Sequence, residues 1–316
     1  MSSLHTKESA DKSCPADTAV GAGCVNDSKL DLSEQLEAFR AKVLERGKEL
    51  WRDLPWRHTR DPYAIWISEV MLQQTQVARV DGRWQRWLRR FPNVAVLADA
   101  DAADVLEEWQ GLGYNRRALS LHKAAQILDK NGGVMPEDEH ELVALPGIGP
   151  ATAAGIRAFA HNLPGVYLET NVRTVFLHEL FPEAEGVPDS ALTPLVAVTC
   201  PKDDADPHDD PRTWYYALLD YGAYLKQTIP NPSRRSRTHT KQSKFEGSHR
   251  QKRAEVLRIL LAARPNSLSF DELSGALDEQ ETSEGRAPVA PSELQDVLSE
   301  LVREGFCTEE NEMWHA

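Results

Sequence analysis

The stretch that most constrains this chain is Glu141-Leu142-Val143-Ala144-Leu145-Pro146-Gly147-Ile148-Gly149-Pro150-Ala151-Thr152-Ala153-Ala154-Gly155-Ile156. Leu142 and Leu145 close one short helix, and Ala151 to Ala160 opens another. Between them stands Pro-Gly-Ile-Gly-Pro, in which two close glycines allow positive φ and bring the amides near a ligand. Pro150 suits the first position of the second helix. The exposed amides at that helix start form a site for one phosphate. Such a hairpin grips a DNA backbone without reading its sequence. The alternative is an ordinary helix–helix turn that happens to be Gly-rich.

Composition bounds the rest. A chain of 316 residues holds about two domains and has length for a real core. No apolar run approaches the roughly 18 residues of a membrane span, and no secretory segment opens the chain. Cys14, Cys24, Cys200 and Cys307 are scattered without CxxC spacing, so neither a metal site nor a disulfide framework is expected. A reducing cytoplasm is the expected compartment, with the protein associated with the nucleoid. The net charge of −13 looks wrong for a DNA binder. Binding needs only a local basic surface, however, and a polarised molecule with weak binding at high salt is expected.

Residues 1–30 read as a disordered tail. Asp31-Leu32-Ser33-Glu34 reads as a helix start, with Leu36, Phe39, Val43, Leu44 and Leu50 at helical spacing. Asp61-Pro62-Tyr63 starts the next helix, whose apolar face runs through Ile65, Val70, Leu72 and Val77. Glu69 sits near that stripe, where a carboxyl tends to a raised pKa and can act as an acid. The plainer reading, favoured on this segment alone, is a boundary glutamate paired with an arginine. Gly111-Leu112-Gly113-Tyr114 is a tight turn presenting an aromatic, unless Tyr114 is a packing residue. The helix that follows offers Arg116, Arg117, His122 and Lys123 to phosphates.

After the hairpin, a short extended piece delivers Glu169, and Thr170 or Asn171 could cap the helix that begins there. A carboxylate near a helix N-terminus is stabilised as the anion. Two acids in different settings, Glu69 apolar and Glu169 polar, are how one site obtains both an acid and an anion.

The segment 230–253 concentrates Arg234, Arg235, Arg237, Lys241, Lys244, Arg250, Lys252 and Arg253 against Glu246 alone. It is a solvated linker or, on so acidic a chain, a surface for a phosphate backbone. From Ala254 onward, three helices and a terminal hairpin suggest a winged helix. Its third helix carries Glu293, Asp296, Glu300 and Glu304, which argues against major-groove reading and for a packing or protein-contact role.

Taken together, these pieces resemble the helix-hairpin-helix DNA glycosylase superfamily, and most closely its MutY-type adenine glycosylase branch. The similarity runs from about Leu54 to Gly222. It is most specific in Leu54-Pro55-Trp56, Trp66 to Val77, Gly111 to Tyr114, Leu121 to Ala125 and the hairpin. The resemblance implies an all-α, two-lobed helix-hairpin-helix core, here over 31–229; the residues beyond it read as a basic linker over 230–253 and a winged-helix-like domain over 254–316. It implies a base flipped into a cleft, extrusion costing a few kcal/mol and least at a mispair. Glu69 falls at the general acid that protonates adenine. Leu72, Gln74 and Tyr114 match residues that wedge into the DNA stack. Gly147 and Gly149 match a phosphate-binding hairpin assisted by a monovalent cation on carbonyls near Leu145 and Gly147. Asn171 matches an asparagine near the catalytic carboxylate.

Three departures stand out. The family's second carboxylate is an aspartate and here is Glu169, whose extra methylene moves the group by roughly 1.5 Å, where about 1 Å can cost on the order of 100-fold in rate. That carboxylate stabilises an oxocarbenium-like sugar or forms a covalent intermediate. Ala151 stands where bifunctional relatives carry a Schiff-base lysine, so lyase chemistry there is not expected. The cysteines that ligate an iron–sulfur cluster are missing, so no cofactor is expected. The reading is a monomeric, monofunctional glycosylase acting on double-stranded DNA, removing adenine opposite oxidised guanine or guanine. A uracil, mismatched-thymine or other damaged-base glycosylase and a non-catalytic DNA-binding factor are the alternatives.

Overall fold

The computed structural model describes residues 24–203, 205–206, 208–239 and 244–316. Lys241 and residues 1–23 of the tail expected over 1–30 lie outside them. The chain divides into two units, residues 1–42 and 43–316. Helix α1 (Cys24–Glu49) already runs through residues 24–30, so helix begins earlier than Asp31, where the sequence suggests a start.

The second unit continues with α2 (Pro62–Leu72), α3 (Val77–Val80), α4 (Arg83–Arg90), α5 (Val94–Asp99), α6 (Ala102–Trp109), α7 (Arg116–Lys130) and α8 (Glu139–Val143). It then runs through α9 (Pro150–His161), α10 (Thr170–Leu180), α11 (Asp189–Thr199) and α12 (Pro211–Thr228). The last stretch holds α13 (His249–Ala263), β1 (Leu268–Ser269), α14 (Phe270–Ser283), α15 (Pro291–Glu304), β2 (Thr308–Glu310) and β3 (Met313–His315). The architecture is mostly helical, as the sequence leads one to expect.

Local chemistry sets most of these boundaries. Asp61 caps α2 by accepting from the Tyr63 amide at 3.0 Å, with Pro62 at the first helical position. Asp101, Asp138, Asp210 and Ser248 do the same for α6, α8, α12 and α13. Ser269 and Glu272 form a reciprocal capping box on α14. Helix α15 instead starts on Pro291 without a side-chain cap, its N-cap being Ala290.

Helix α2 is the axis of the core. It is buried without interruption from Tyr63 to Met71, on all sides rather than along one stripe, with Ser68 and Glu69 the polar residues in it. It ends at Leu72, and Val77 opens a separate turn, α3, so the face drawn through Val77 does not persist. Trp66 and Ile67 are fully buried and belong to one continuous cluster with Trp87, Trp109, Leu121 and Ile156. That cluster extends without a break into Val256, Leu260, Leu294, Leu298 and Trp314 of the C-terminal helices. Burying a side chain of this size contributes about 1.5–3 kcal/mol each.

The three helices and hairpin expected beyond the basic segment are present, with one strand more, but α13 is capped by Ser248 and starts at His249, so the last residues of the stretch read as a linker over 230–253 are helical. The sheet is antiparallel in the order β1-β3-β2, with Leu268 opposite Trp314 and Thr308 opposite His315. Three of the four acids named on α15 are held in ion pairs: Glu293 with Lys252 at 2.6 Å, and Glu300 and Glu304 both with Arg253, the latter at 2.8 Å. Among the described residues, no helix is long and apolar enough to cross a membrane.

Candidate active site

Glu69 lies one turn from the end of α2 and is buried. Its partner is not an arginine. The Tyr167 hydroxyl donates to Glu69 Oε2 at 2.9 Å. Burial pushes the Glu69 carboxyl up to about 8; the Tyr167 hydrogen bond opposes this and the nearby charge of Glu169 adds to it. Tyr167 is itself fixed, edge-on to Phe159 and to Tyr215 with both pairs of ring centroids 5.3 Å apart. The Tyr215 hydroxyl receives the Tyr167 amide at 3.3 Å.

Glu169 ends the extended piece 163–169 and is itself the N-cap of α10, a place the sequence offers to Thr170 or Asn171. One oxygen, Oε1, accepts from the Asn171 amide at 2.6 Å and the Val172 amide at 3.1 Å. The amides and the charges of Lys226 and Arg173 favour the anion, yet burial outweighs them and the pKa lies above its usual value. The expected contrast between the acids therefore takes a different form. Both are raised, and Glu69 carries the shift to about 8. The side-chain oxygen of Asn171 is buried with no hydrogen-bond partner among the described residues.

Two loops flank the end of α2. Gln74 and Tyr114 are both exposed and both left-handed, with φ of 54° and 49°. Holding a side chain there costs on the order of 1–3 kcal/mol. Tyr114 is thus not a packing residue. Leu72 is half-buried against the core cluster. Gln73 donates to the Thr152 hydroxyl at 3.0 Å, which ties the loop to α9.

Arg117 holds these loops together, a role the sequence does not reveal. It is not presented to phosphates. Its Nη1 donates to the carbonyls of Val70 and Gln73, each at 2.7 Å, and of Met71 at 3.1 Å. Nη2 donates to the Thr75 hydroxyl at 3.0 Å and the Gly113 carbonyl at 2.9 Å. The guanidinium also lies over the rings of Trp109 and Tyr114, and burial lowers its pKa to about 10. His122 is buried beside Gln126, Arg116 pairs with Glu304 at 3.0 Å, and Lys123 is exposed.

The hairpin connects α8 to α9 with Gly149 at the N-cap and Pro150 at the first helical position. Only one glycine needs positive φ. Gly147 has φ of 80°, and a Cβ there would lie 2.7 Å from Ser120 Cβ. Gly149 has an ordinary φ of −89°, and a Cβ would meet nothing within 4 Å. The fold does not require that glycine, whose effect is to leave the helix N-terminus open to a close approach. A cavity of about 130 Å³ beside the hairpin is lined by Val70, Gln73, Arg117, Ser120, Leu121 and Gly147.

The basic segment is only partly available. Arg235 donates to the carbonyls of Leu177 at 2.8 Å and of Phe181 and Pro182, closing the end of α10 rather than facing solvent. Lys244 pairs with Glu246 at 3.1 Å, both exposed. Arg234 and Arg237 are exposed. Of the cysteines among the described residues, Cys200 and Cys307 are buried and free, and no group of three or more His, Cys, Asp or Glu side chains could hold a metal there.

Residues 67–189 match the model of a family described as "HhH-GPD superfamily base excision DNA repair protein". The chain is 42% identical over 127 residues to an adenine DNA glycosylase of Buchnera aphidicola, covering 40% of this chain and 36% of that protein. It is 39% identical over 181 residues to an adenine DNA glycosylase of Mycobacterium tuberculosis, covering 54% and 56% respectively. The chain thus spans about a third to just over half the length of these relatives. A solved thermostable thymine-DNA glycosylase superposes with a TM-score of 0.56 at 22% identity, over 64% of this chain and 92% of that one, which speaks to the fold. The matched segment, residues 67–189, is the one that holds Glu69, the Tyr114 loop, the hairpin and Glu169.

Proposed function

We propose that this protein is a monofunctional DNA glycosylase that hydrolyses the N-glycosidic bond of an extruded base, adenine in a mispair with oxidised guanine or guanine. The observation that carries the reading is the Glu69 carboxyl: buried, held by Tyr167, and pushed to about 8. Such a group keeps its proton at neutral pH and can give it to a departing base, since an acid works best when its pKa lies near the working pH. Identities of 42% and 39% with adenine DNA glycosylases support adenine as that base.

Roles then follow for the remaining residues. The hairpin amides around Gly149 grip one phosphate. Gln74, Tyr114 and Leu72 fill the stack as the base leaves it. Glu69 protonates the base, the C1′–N bond breaks with its electron pair passing to the base, and positive charge develops on the sugar. Glu169 stabilises that charge as an anion. Water adds at C1′ and loses its proton. Ala151 offers no amine, so the reaction stops at the abasic site. We propose that neither cluster nor metal takes part and that the protein acts as a monomer.

The test is a single-turnover assay with duplexes carrying A opposite oxidised G, A opposite G, T opposite G and U opposite G, each followed by alkali. Cleavage at adenine that disappears with Glu69→Gln is the expected result. Cleavage at U or T with the same dependence moves the substrate and keeps the chemistry. Tight binding without cleavage of any duplex would overturn the enzymatic reading in favour of a DNA-binding factor.

A further inference from the structure

Glu169 is buried, which favours its neutral form, yet the proposed chemistry uses it as an anion. Four ionisable groups bear on it. The extended piece brings Tyr167, α2 brings Glu69, α10 brings Arg173 and α12 brings Lys226. Burial holds the Tyr167 hydroxyl and the Glu69 carboxyl in their neutral forms at neutral pH. Arg173 is committed elsewhere. Its Nε and Nη2 donate to the two oxygens of Asp189 at 2.9 and 2.8 Å, a bidentate pair that cancels most of its field at a distance.

Lys226 differs. It lies in the last turn of α12 and is half-buried. Among the described residues, no carboxylate lies within ion-pair distance of its ammonium and no acceptor takes a hydrogen bond from it. Its placement follows from Gly222, four residues earlier. A Cβ at Gly222 would lie 2.2 Å from the Asn171 carbonyl oxygen, so α12 crosses the first turn of α10 with no side chain between the backbones. Residues four apart share one helix face, and helix side chains lean toward the N-terminus. Lys226 therefore leans back along α12 toward the start of α10, which Glu169 caps. Burial lowers the Lys226 pKa, Glu169 raises it and Arg52 lowers it, while Arg52 itself is bound to Asp220 at 2.5 Å.

We propose that Lys226 is a positioning residue of the glycosylase reaction, its unpaired ammonium keeping the Glu169 carboxylate ionised so that an anion is in place when positive charge develops at C1′. The inference rests on the glycosylase reading. The Asn171 and Val172 amides fix the direction of Oε1, and the ammonium supplies the net charge that amides lack. Because the ammonium stands off rather than in contact, it favours the anion without neutralising it toward the sugar.

The experiment uses the full chain as wild type, Lys226→Met, Lys226→Gln and Lys226→Arg. With carboxyl-labelled glutamate, the Glu169 signal is identified by its loss in Glu169→Gln and followed against pH by carbon NMR without DNA. Both neutral variants should raise its titration midpoint by about one pH unit, and Lys226→Arg should return it close to wild type. In single-turnover excision the acidic limb of the pH–rate profile should move up equally, a loss of about tenfold at a pH on that limb, with the alkaline limb unmoved. A cation in the last turn of a helix also suits the dipole, but that structural role would lower the melting temperature and leave the limb in place. An unmoved Glu169 midpoint, or an unmoved acidic limb, overturns the proposal. If excision that depends on Glu69 persists in that case, the glycosylase reading stands and only the assignment of Lys226 falls. A midpoint that moves in a protein that excises no base from any duplex sinks the glycosylase reading, and the role of Lys226 in its chemistry with it.

Discussion

Gly155 faces Glu69. A Cβ built at residue 155 would clash with Glu69 Oε2 and lie 2.8 Å from Cε2 of Tyr167. A glycine inside a helix costs roughly 0.5–1 kcal/mol relative to alanine. Here it makes room for the carboxyl and its hydroxyl partner in a place where any larger residue would displace them. Gly155→Ala should therefore leave melting close to wild type while lowering the single-turnover rate on the order of 100-fold, because a shift of about 1 Å has that effect. Parallel thermal and kinetic measurements on the variant check this.

The Tyr167 hydroxyl stabilises the anion of Glu69, so its removal should raise the Glu69 pKa further. Tyr167→Phe is expected to move the alkaline limb of the pH–rate profile to higher pH while reducing the maximum rate. A limb unmoved or shifted to lower pH would mean that Glu69 is not the group titrating there.

Stability should depend on pH through the same residue. Its pKa is raised in the fold, so the folded state retains a proton that the unfolded chain releases near 4.5. The contribution of Glu69 is present in full below 4.5 and is lost as pH rises to about 8. Each unit in that window is worth about 1.4 kcal/mol. Glu69→Gln should melt near wild type at pH 5 and above wild type at pH 9, which calorimetry at the two pH values reads directly.

Arg117 should prove more sensitive than its position on a helix surface suggests. Arg117→Lys keeps the charge but cannot reach carbonyls on both loops at once. The expected result is a loss of base extrusion, seen as a smaller 2-aminopurine signal with the probe at the target position, with affinity for undamaged duplex nearly unchanged. Arg117→Met should destabilise the fold by about 2 kcal/mol or more, because it leaves several carbonyls unpaired.

The hairpin glycines should separate. Gly147→Ala forces a side chain into positive φ and onto Ser120, and should cost about 2 kcal/mol of stability. Gly149→Ala should fall within about 0.5 kcal/mol of wild type and weaken DNA binding instead. Urea melts and salt-controlled binding assays on the pair check the division.

The parts of this fold legible in sequence are those set by local chemistry. Asp61-Pro62 begins α2, Gly149-Pro150 begins α9, and Ser269 with Glu272 caps α14, each within a few residues of chain. Glu69 is visible in sequence as a carboxyl in apolar company, and Tyr114 as an aromatic on a tight turn. What local reading missed depends on distant partners. Arg117 looks solvent-facing until carbonyls 44 to 47 residues earlier are brought to it. Gly155 looks like one more small residue in an alanine-rich helix until Glu69 and Tyr167 close on it. Arg235 counts as free positive charge until it meets the end of α10. The sequence places Glu169 beside a helix start, but its use as the cap depends on how its side chain folds back onto the Asn171 and Val172 amides.

One long-range knot has a consequence for how the chain matures. Asp220 of α12 is 2% exposed and accepts from Arg57 at 2.7 and 2.8 Å and from the Arg52 amide at 3.2 Å, partners 163 and 168 residues earlier in the chain. Leaving one member of such a buried pair alone costs about 3–5 kcal/mol. During synthesis, which proceeds from the N-terminus, the Arg57 guanidinium has no counterion until Asp220 has emerged from the ribosome. The helices around Glu69 therefore complete their packing only after some two-thirds of the chain has been made, and a nascent protein truncated before α12 would be a client for chaperones rather than a smaller folded domain.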